Sequence, residues 1–317
     1  MPARPPRLRR GPCPSPHVLD SGDVREPSPE GCVRMRVLLV PNYSRQAAVE
    51  GANRLSDWLE GQGVEVRWAH DKKLFPNKVV DTEGVGLVVS LGGDGTLLRA
   101  ARIVGYSEIP VMGLSYGHLG FLTCGGPDEL ISSVSDALAG EMHVSHRATL
   151  DVEVDYVRPD GTEGSERRFA LNDISLTHGV RGDMIEFDVS VSGHHVDRLR
   201  GDGFVVSTAT GSTGYALAAG GPIVTPEFTG MVCVPVAPHS SRARAFLTAS
   251  SDVVEIEISP ERKAERLFFA DGQPICAGST CVGARVRRGP GDILLLDRSA
   301  KSFYESVSRV FYGEQGR

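Results

Sequence analysis

From Met35 onward the apolar residues of this chain fall into two textures. Arg36–Pro41 (Arg-Val-Leu-Leu-Val-Pro) is a compact apolar run and predicts a buried strand. Ala47–Glu60 instead spaces its apolar residues at Ala48, Ala52, Leu55, Trp58 and Leu59, the period of a helix, with Gly61 and Gly63 marking its end. Val64–Ala69 alternates as a second strand, and Gly86–Ser90 and Ile109–Leu114 predict a third and a fourth. Between and after them, Thr96–Tyr106 and Asp128–Leu138 read as helices. Strands alternating with helices predict a doubly wound α/β domain: a parallel sheet with helices on both faces and ligands at the carboxyl ends of its strands.

Past about residue 140 the texture changes. Leu150–Tyr156, Arg168–Thr177, Met184–Val191, Gly203–Ser207, Met231–Pro235, Val253–Ile258, Arg266–Ala270 and Asp292–Leu296 predict short strands separated by turn residues such as Pro159-Asp160-Gly161. That pattern indicates an antiparallel β domain. Phe303–Tyr312 regains helical spacing and is expected to return to the first domain. The organisation expected is an α/β domain over 35–140 with 300–317 returning to it, and a β-rich domain over 141–299, with a ligand cleft between them. Residues 1–34, dense in proline and arginine, have little to bury and are expected to be a disordered extension, with Met35 the natural start.

Bulk properties narrow the function more than the fold. A net charge of -6 argues against general affinity for nucleic acid, which needs a basic footprint. No apolar stretch approaches the roughly 20 residues of a membrane helix. The six cysteines are scattered with no zinc-site spacing, which predicts reduced thiols in a cytoplasmic protein.

The chemistry is concentrated at Gly92-Gly93-Asp94-Gly95-Thr96, directly after the third predicted strand. Glycines there let main-chain N–H groups approach a polyphosphate, and the turn opens onto a helix N-terminus, where anions are favoured. Asp94 among them can orient a hydroxyl, accept its proton, or sit beside a metal ion that carries phosphates; an ordinary tight turn is the plainer alternative. Three further segments are more polar than a core requires: Gly113–Leu122, Asn172-Asp173 inside an apolar run, and Gly201–Tyr215 with its dense hydroxyls and glycines. Adjacent polar residues in a strand point to opposite faces, so one of Asn172 and Asp173 is expected to be directed inward, where it needs a partner. Either a buried hydrogen-bonding pair or recognition of a sugar or base accounts for them.

Taken in order, Gly-Gly-Asp-Gly-Thr, Gly-His-Leu-Gly-Phe-Leu, Leu-Asn-Asp-Ile, the segment from Asp202 to Tyr215, Gly-Gly-Pro-Ile-Val, Pro-His-Ser and Asp-Gly-Gln resemble the NAD kinase family from Arg36 onward. The resemblance implies transfer of a phosphate from ATP or polyphosphate to the adenosine 2′-hydroxyl of NAD, with a divalent metal such as Mg²⁺, in a homodimer or homotetramer. It also implies roles by position. Asp94 matches the proton acceptor, Gly95 an adjacent ligand contact, and Arg99 lies one helical turn on, near the phosphates. Asn172 and Asp173 match the pair that grips the adenosine. Asp183, Arg200 and Asp202 match further dinucleotide contacts; Thr213, Gly214 and Tyr215 match the adenine-side loop, and Gln273 a contact from the β domain. Ala218 stands where the family more often has a serine near adenine, and Ser115 and Ala209 depart from the pattern too. No side chain is singled out as a dedicated metal ligand. Two other readings share part of the pattern. Diacylglycerol and sphingosine kinases carry a similar glycine–aspartate turn, usually followed by Asn-Glu where this chain has Leu97-Leu98-Arg99. A non-catalytic dinucleotide-binding regulator on the same fold would be favoured by loss of Asp94, which is present.

Overall fold

The computed structural model describes residues 35–75, 78–117, 120–179, 182–259, 265–300 and 302–313; the expectation for residues 1–34 lies outside them. The first sheet is assembled from β1 (Arg36–Pro41), β2 (Glu65–Trp68), β3 (Val85–Gly92), β4 (Val111–Ser115) and β5 (His143–Arg147), joined by β18 (Ile293–Asp297) from near the end of the chain. Its order is β2-β1-β3-β4-β18-β5, parallel throughout except for β5 at the edge. Helix α1 (Gln46–Gly61) and α3 (Leu130–Ala139) cover one face, and α2 (Asp94–Val104) the other. The alternation of β1 explains this: Val37 and Leu39 pack with Leu55, Leu59 and Val134, while Leu38 and Val40 pack with Leu97, Ala100 and Ala101. Each fully buried leucine contributes roughly 1.5–3 kcal/mol.

The second unit is a sandwich of two antiparallel six-stranded sheets. Its strands are β6 (Leu150–Val157), β7 (Glu163–Ala170), β8 (Asp173–His178), β9 (Ile185–Val191), β10 (His194–Gly201), β11 (Gly203–Ser207), β12 (Val232–Val236), β13 (Phe246–Leu247), β14 (Val253–Ile258), β15 (Arg266–Ala270), β16 (Gln273–Ile275) and β17 (Thr280–Arg288). The sheet β10-β9-β14-β17-β6-β7 packs on β13-β12-β11-β8-β15-β16 through Val152, Phe187, Phe204 and Phe268, all essentially buried. A short helix, α4 (Tyr215–Ala218), follows β11, and α5 (Ser302–Val307) closes the chain, widening into a π turn over Ser308–Tyr312.

Three sequence expectations need correction. The strands at His143–Arg147 and Ile293–Asp297 lie inside the range expected for the β-rich domain, yet both belong to the first sheet. Ile293-Leu294-Leu295-Leu296 is apolar on successive residues because a strand within a helix-covered parallel sheet is buried on both faces. Second, Arg168–Thr177 is not one strand. It breaks at Leu171-Asn172, where the chain crosses from one sheet of the sandwich to the other. Third, α2 begins at Asp94, two residues earlier than predicted, so the carboxylate sits in the first helical turn. Strands β10 and β17 carried too little apolar signal to be predicted; β10 is a charged edge strand in which only Leu199 and Gly201 are buried.

Two passages of chain join the units, Arg147–Leu150 and Arg288–Ile293. They are stapled together: Gly289 N–H donates to Thr149 O (2.8 Å), and the Thr149 hydroxyl donates to Gly291 O (2.6 Å). Tyr106, just past α2, packs its ring edge-on to Phe169 of β7 at 5.3 Å and reaches toward Leu150 O and Asp151. No helix among the described residues is long and apolar enough to cross a membrane.

Candidate active site

The carboxyl ends of β1, β3 and β4 converge on the Gly92–Thr96 turn. Asn42 N–H donates to Leu91 O (2.8 Å) and Tyr116 N–H to Gly92 O (2.6 Å), so the loops after β1 and β4 are tied to the end of β3. The Asp94 carboxylate accepts hydrogen bonds from Phe121 N–H (3.1 Å) and Leu122 N–H (3.3 Å). Gly120 makes that grip possible, since a Cβ there would stand 2.2 Å from Asp94 Oδ1. The Gly-x-x-Gly-Phe-Leu segment therefore serves as the seat of the Asp94 carboxylate; its His118 and Leu119 lie outside the described residues. Arg309 of the C-terminal helix reaches Gly120 O (3.4 Å), and Phe311 stacks on Phe121 at 5.8 Å, so this seat is backed from outside.

Beside Asp94 opens a cleft of about 500 Å³, lined by Gly93, Gly95 and Thr96 and by Arg45, Lys72 and Arg99. Burial holds the Lys72 ammonium below its ordinary pKa, and the neighbouring charges of Arg102 and Arg99 lower it further. Burial likewise lowers Arg99, whose guanidinium is anchored on His70 O. Crowded cations on main-chain N–H groups at the N-terminus of an eleven-residue helix form a site for a polyanion.

On the β unit, a second polar cluster is built on the break between β7 and β8. Three consecutive N–H groups there, of Leu171, Asn172 and Asp173, turn away from the sheet and donate to the Asp271 carboxylate at 3.0, 2.7 and 3.3 Å. The carbonyls are taken as well: Leu171 O by the Thr208 hydroxyl (2.6 Å) and Asn172 O by Thr208 N–H (2.9 Å). The backbone of this break is thus satisfied. Asn172 Oδ1 is buried without a partner among the described residues. Burial, and then the charge of Asp271, push the Asp173 carboxyl up to about 7. Tyr215 lies within electrostatic reach of Asp173 and Asp202, and burial raises its phenol. The buried hydroxyls of Ser207, Thr208 and Ser212 are used inside the loop, which leaves Gly214 and Tyr215 exposed at its rim.

The chain matches the family models described as ATP-NAD kinase N-terminal domain over residues 69–142 and ATP-NAD kinase C-terminal domain over 171–296. It is 40% identical over 224 residues to an NAD kinase of Alcanivorax borkumensis, covering 71% of this chain and 73% of that protein. An NAD kinase of Aromatoleum aromaticum is 34% identical over 281 residues, 84% and 90% of the two chains. The chain belongs to the NAD kinase family. The crystal structure of an NAD kinase from Archaeoglobus fulgidus in complex with ATP superposes with a TM-score of 0.67 at 25% identity, over 87% of this chain and 98% of that one. Yeast NADH kinase, crystallised with NADH, shares the fold with a TM-score of 0.73 at 20% identity, over 90% and 89%. Neither the lipid-kinase nor the regulator reading gains support from these relatives.

The residues singled out in the sequence fall into two groups in this member of the NAD kinase family, one at the basic cleft and one at the β7–β8 break. Gly95 and Arg99 line the basic cleft with Asp94 next to Gly95 in the turn, and Lys72 Nζ reaches across to Gln273 Oε1 (3.4 Å) on the β unit. Asn172, Asp173, Asp202, Gly214 and Tyr215 gather at the break. Thr213 is half-buried with its hydroxyl on Thr210 O (3.3 Å), and Ala218 is exposed at the end of α4. Asp183 and Arg200 are exposed, and no hydrogen bond or ion pair joins their side chains to the cleft among the described residues. Arg45, Lys72 and Lys73 were missed because they lie in loops without a motif. Asp271 was passed over although it opens the Asp-Gly-Gln segment; its signal was Asp-Gly between two apolar strands, the mark of a tight hairpin.

Proposed function

We propose that this chain transfers the terminal phosphate of ATP, or of polyphosphate, to the adenosine 2′-hydroxyl of NAD, giving NADP, with Asp94 as the group that orients the hydroxyl and accepts its proton. The observation that carries the reading is the Asp94 carboxylate held by two amides at the edge of a basic cleft, with the acceptor loop anchored to the same helix. A carboxylate has about four lone-pair sites and the amides use two, so capacity remains for the substrate hydroxyl. Phosphoryl transfer is mostly positioning and charge stabilisation. Here Arg45, Lys72 and Arg99 supply the charge, the glycine-turn amides cradle the donor phosphates, and Asn172 and Asp173 hold the ribose. The Archaeoglobus relative crystallised with ATP supports a nucleotide as donor.

Mg²⁺ fits this site only as an ion carried by the donor phosphates. Among the described residues no group of three or more metal-ligating side chains converges; Asp71 lines the cleft and Asp94 lies between its lining residues Gly93 and Gly95, so these are the carboxylates nearest such an ion. When bound, the ion neutralises phosphate charge. The same reading carries the expectations of a cytoplasmic location and of a homodimer or homotetramer, which cell fractionation and sedimentation velocity test.

Purified protein mixed with NAD, ATP and Mg²⁺, and coupled to an NADP-specific dehydrogenase, should accumulate NADP; no product would end the proposal. In the same assay Asp94→Asn should lower turnover by at least about 10²-fold, the low end of general-base effects. Its thermal midpoint should stay close to that of the parent. Turnover within a few-fold of the parent would remove Asp94 from the role of base.

A further inference from the structure

Asp271 and Arg102 lie outside the set of site residues implied by the family pattern, and they stand where the two halves of the site meet. Asp271 and Gly272 form the two-residue loop between β15 and β16, with φ of 46° and 71°. Positive φ at both central positions is the pattern of a type I′ hairpin, and Asp-Gly is a preferred pair for it. The turn aims the Asp271 carboxylate back at the start of β8. There it is fully buried, accepts the N–H groups of Leu171, Asn172 and Asp173, and returns its own N–H to Asp173 O (3.0 Å). Burial raises its pKa, and the three amides with the Arg102 charge oppose that rise.

Arg102 comes from the other unit. It lies eight residues after Asp94 on α2, and its Nη1 is 3.7 Å from Asp271 Oδ2. That nitrogen is buried and makes no hydrogen bond among the described residues, so its electrostatic partner is the Asp271 carboxylate. The helix that presents the proton acceptor is thereby tethered to the carboxylate that organises the acceptor loop.

We propose that Arg102 and Asp271 are a positioning pair that sets the acceptor loop, and so the ribose hydroxyl, at transfer distance from Asp94. Neither residue touches a reacting atom. Asp271 shapes the loop that binds the dinucleotide, and Arg102 sets where that loop sits relative to α2. The inference rests on the proposed NAD kinase activity: wild-type protein that makes no NADP overturns both, whereas an active wild type with unaffected variants overturns the positioning pair alone.

The two residues predict different kinetic signatures. Arg102→Met should lower kcat by ten-fold or more while the KM values for NAD and ATP each stay within about three-fold, because displacement of a reacting group by about 1 Å can cost on the order of 10²-fold in rate. Arg102→Lys should recover most of that loss. Asp271→Asn keeps the shape, but an amide cannot accept from all three N–H groups. It should raise the KM for NAD at least ten-fold and leave the KM for ATP within about three-fold. Combining Arg102→Met with Asp271→Asn should cost less than the product of the two single effects, as expected of residues acting through one contact. Circular dichroism and thermal midpoints establish folding, and if Asp271→Asn is unfolded the Arg102 pair of variants decides. A kcat for Arg102→Met within two-fold of wild type overturns the proposal, as does a Lys variant no better than Met. A KM for ATP that rises as far as kcat falls also overturns it, because Arg102 would then be a donor-phosphate contact.

Discussion

At the scale of the single residue, the Asp173 carboxyl combines burial with an unusual proton affinity. Its folded pKa is about 7 against roughly 3.9 for an unperturbed aspartate, because burial and the Asp271 charge both disfavour ionisation. A carboxyl that holds its proton more tightly when folded gives stability that is fully present below about pH 4 and lost as pH rises to about 7. Asp173→Asn cannot ionise, so its thermal midpoint should gain on the parent as pH rises from about 4 to about 7, by no more than a few kcal/mol equivalent. A midpoint difference that stays flat with pH would show that Asp173 is not the titrating group. The same substitution should weaken NAD binding, so the aspartate sacrifices stability of the empty protein for a site. Burial shifts the free thiols in the same direction. Burial raises Cys124 and Cys233 to about 12, which leaves them as packing groups rather than nucleophiles at neutral pH.

Among the elements, the C-terminal helix acts through a few contacts. Tyr304 and Tyr312 are exposed, while Arg309 and Phe311 press on the segment that holds Asp94. The helix thus buries little but backs the segment that seats the Asp94 carboxylate through one hydrogen bond and one stacked ring pair, the latter worth about 0.5–1.5 kcal/mol. Replacing Arg309 and Phe311 together with alanine should lower kcat several-fold in the NADP assay. The KM for NAD should hold, since the acceptor loop lies on the other unit. Unchanged turnover in a folded double variant would make the helix a passive cover. Helix α2 is bound more firmly, with Leu97, Ala100 and Ala101 buried against the sheet, and it carries Asp94, Arg99 and Arg102 along its length. A rigid element thereby holds Asp94, Arg99 and Arg102 in one frame.

For the molecule as a whole, the relation between the two units rests on a narrow joint. Thr149 staples the two crossing segments, and Tyr106 wedges between them and Phe169. Burial and the nearby Asp151 carboxylate hold the Tyr106 phenol protonated up to about pH 12. Tyr106→Phe keeps the wedge and should cost less than about 1 kcal/mol in urea unfolding, since the hydroxyl contacts are long. Tyr106→Ala should cost about 2 kcal/mol, below the 3–5 of a fully buried aromatic because the ring is partly exposed. It should also lower turnover, as donor and acceptor halves lose their fixed separation. If the alanine variant unfolds at the same urea concentration as the parent, the joint does not depend on this ring.

What the chain declares by itself is whatever depends on local periodicity and local turn chemistry. Helical spacing in 47–60, the compact strand at Arg36–Pro41, the glycine–aspartate turn before α2 and the shift to short strands past residue 140 all belong to that class, as does the motif order of the family. Tertiary structure alone decided that His143–Arg147 and Ile293–Asp297 complete the first sheet, because strand partners are chosen across the chain by burial and register. It also decided that the strand expected over 168–177 breaks, since the force that bends it comes from Asp271, about a hundred residues away, whose carboxylate outcompetes the sheet for three N–H groups. Of the cations of the cleft, Arg45 and Lys72 were invisible for the same reason, while the motif order of the family marked Arg99. Arg45, Lys72 and Arg99 sit on three separate segments, and only folding brings their charges close enough to require an anion.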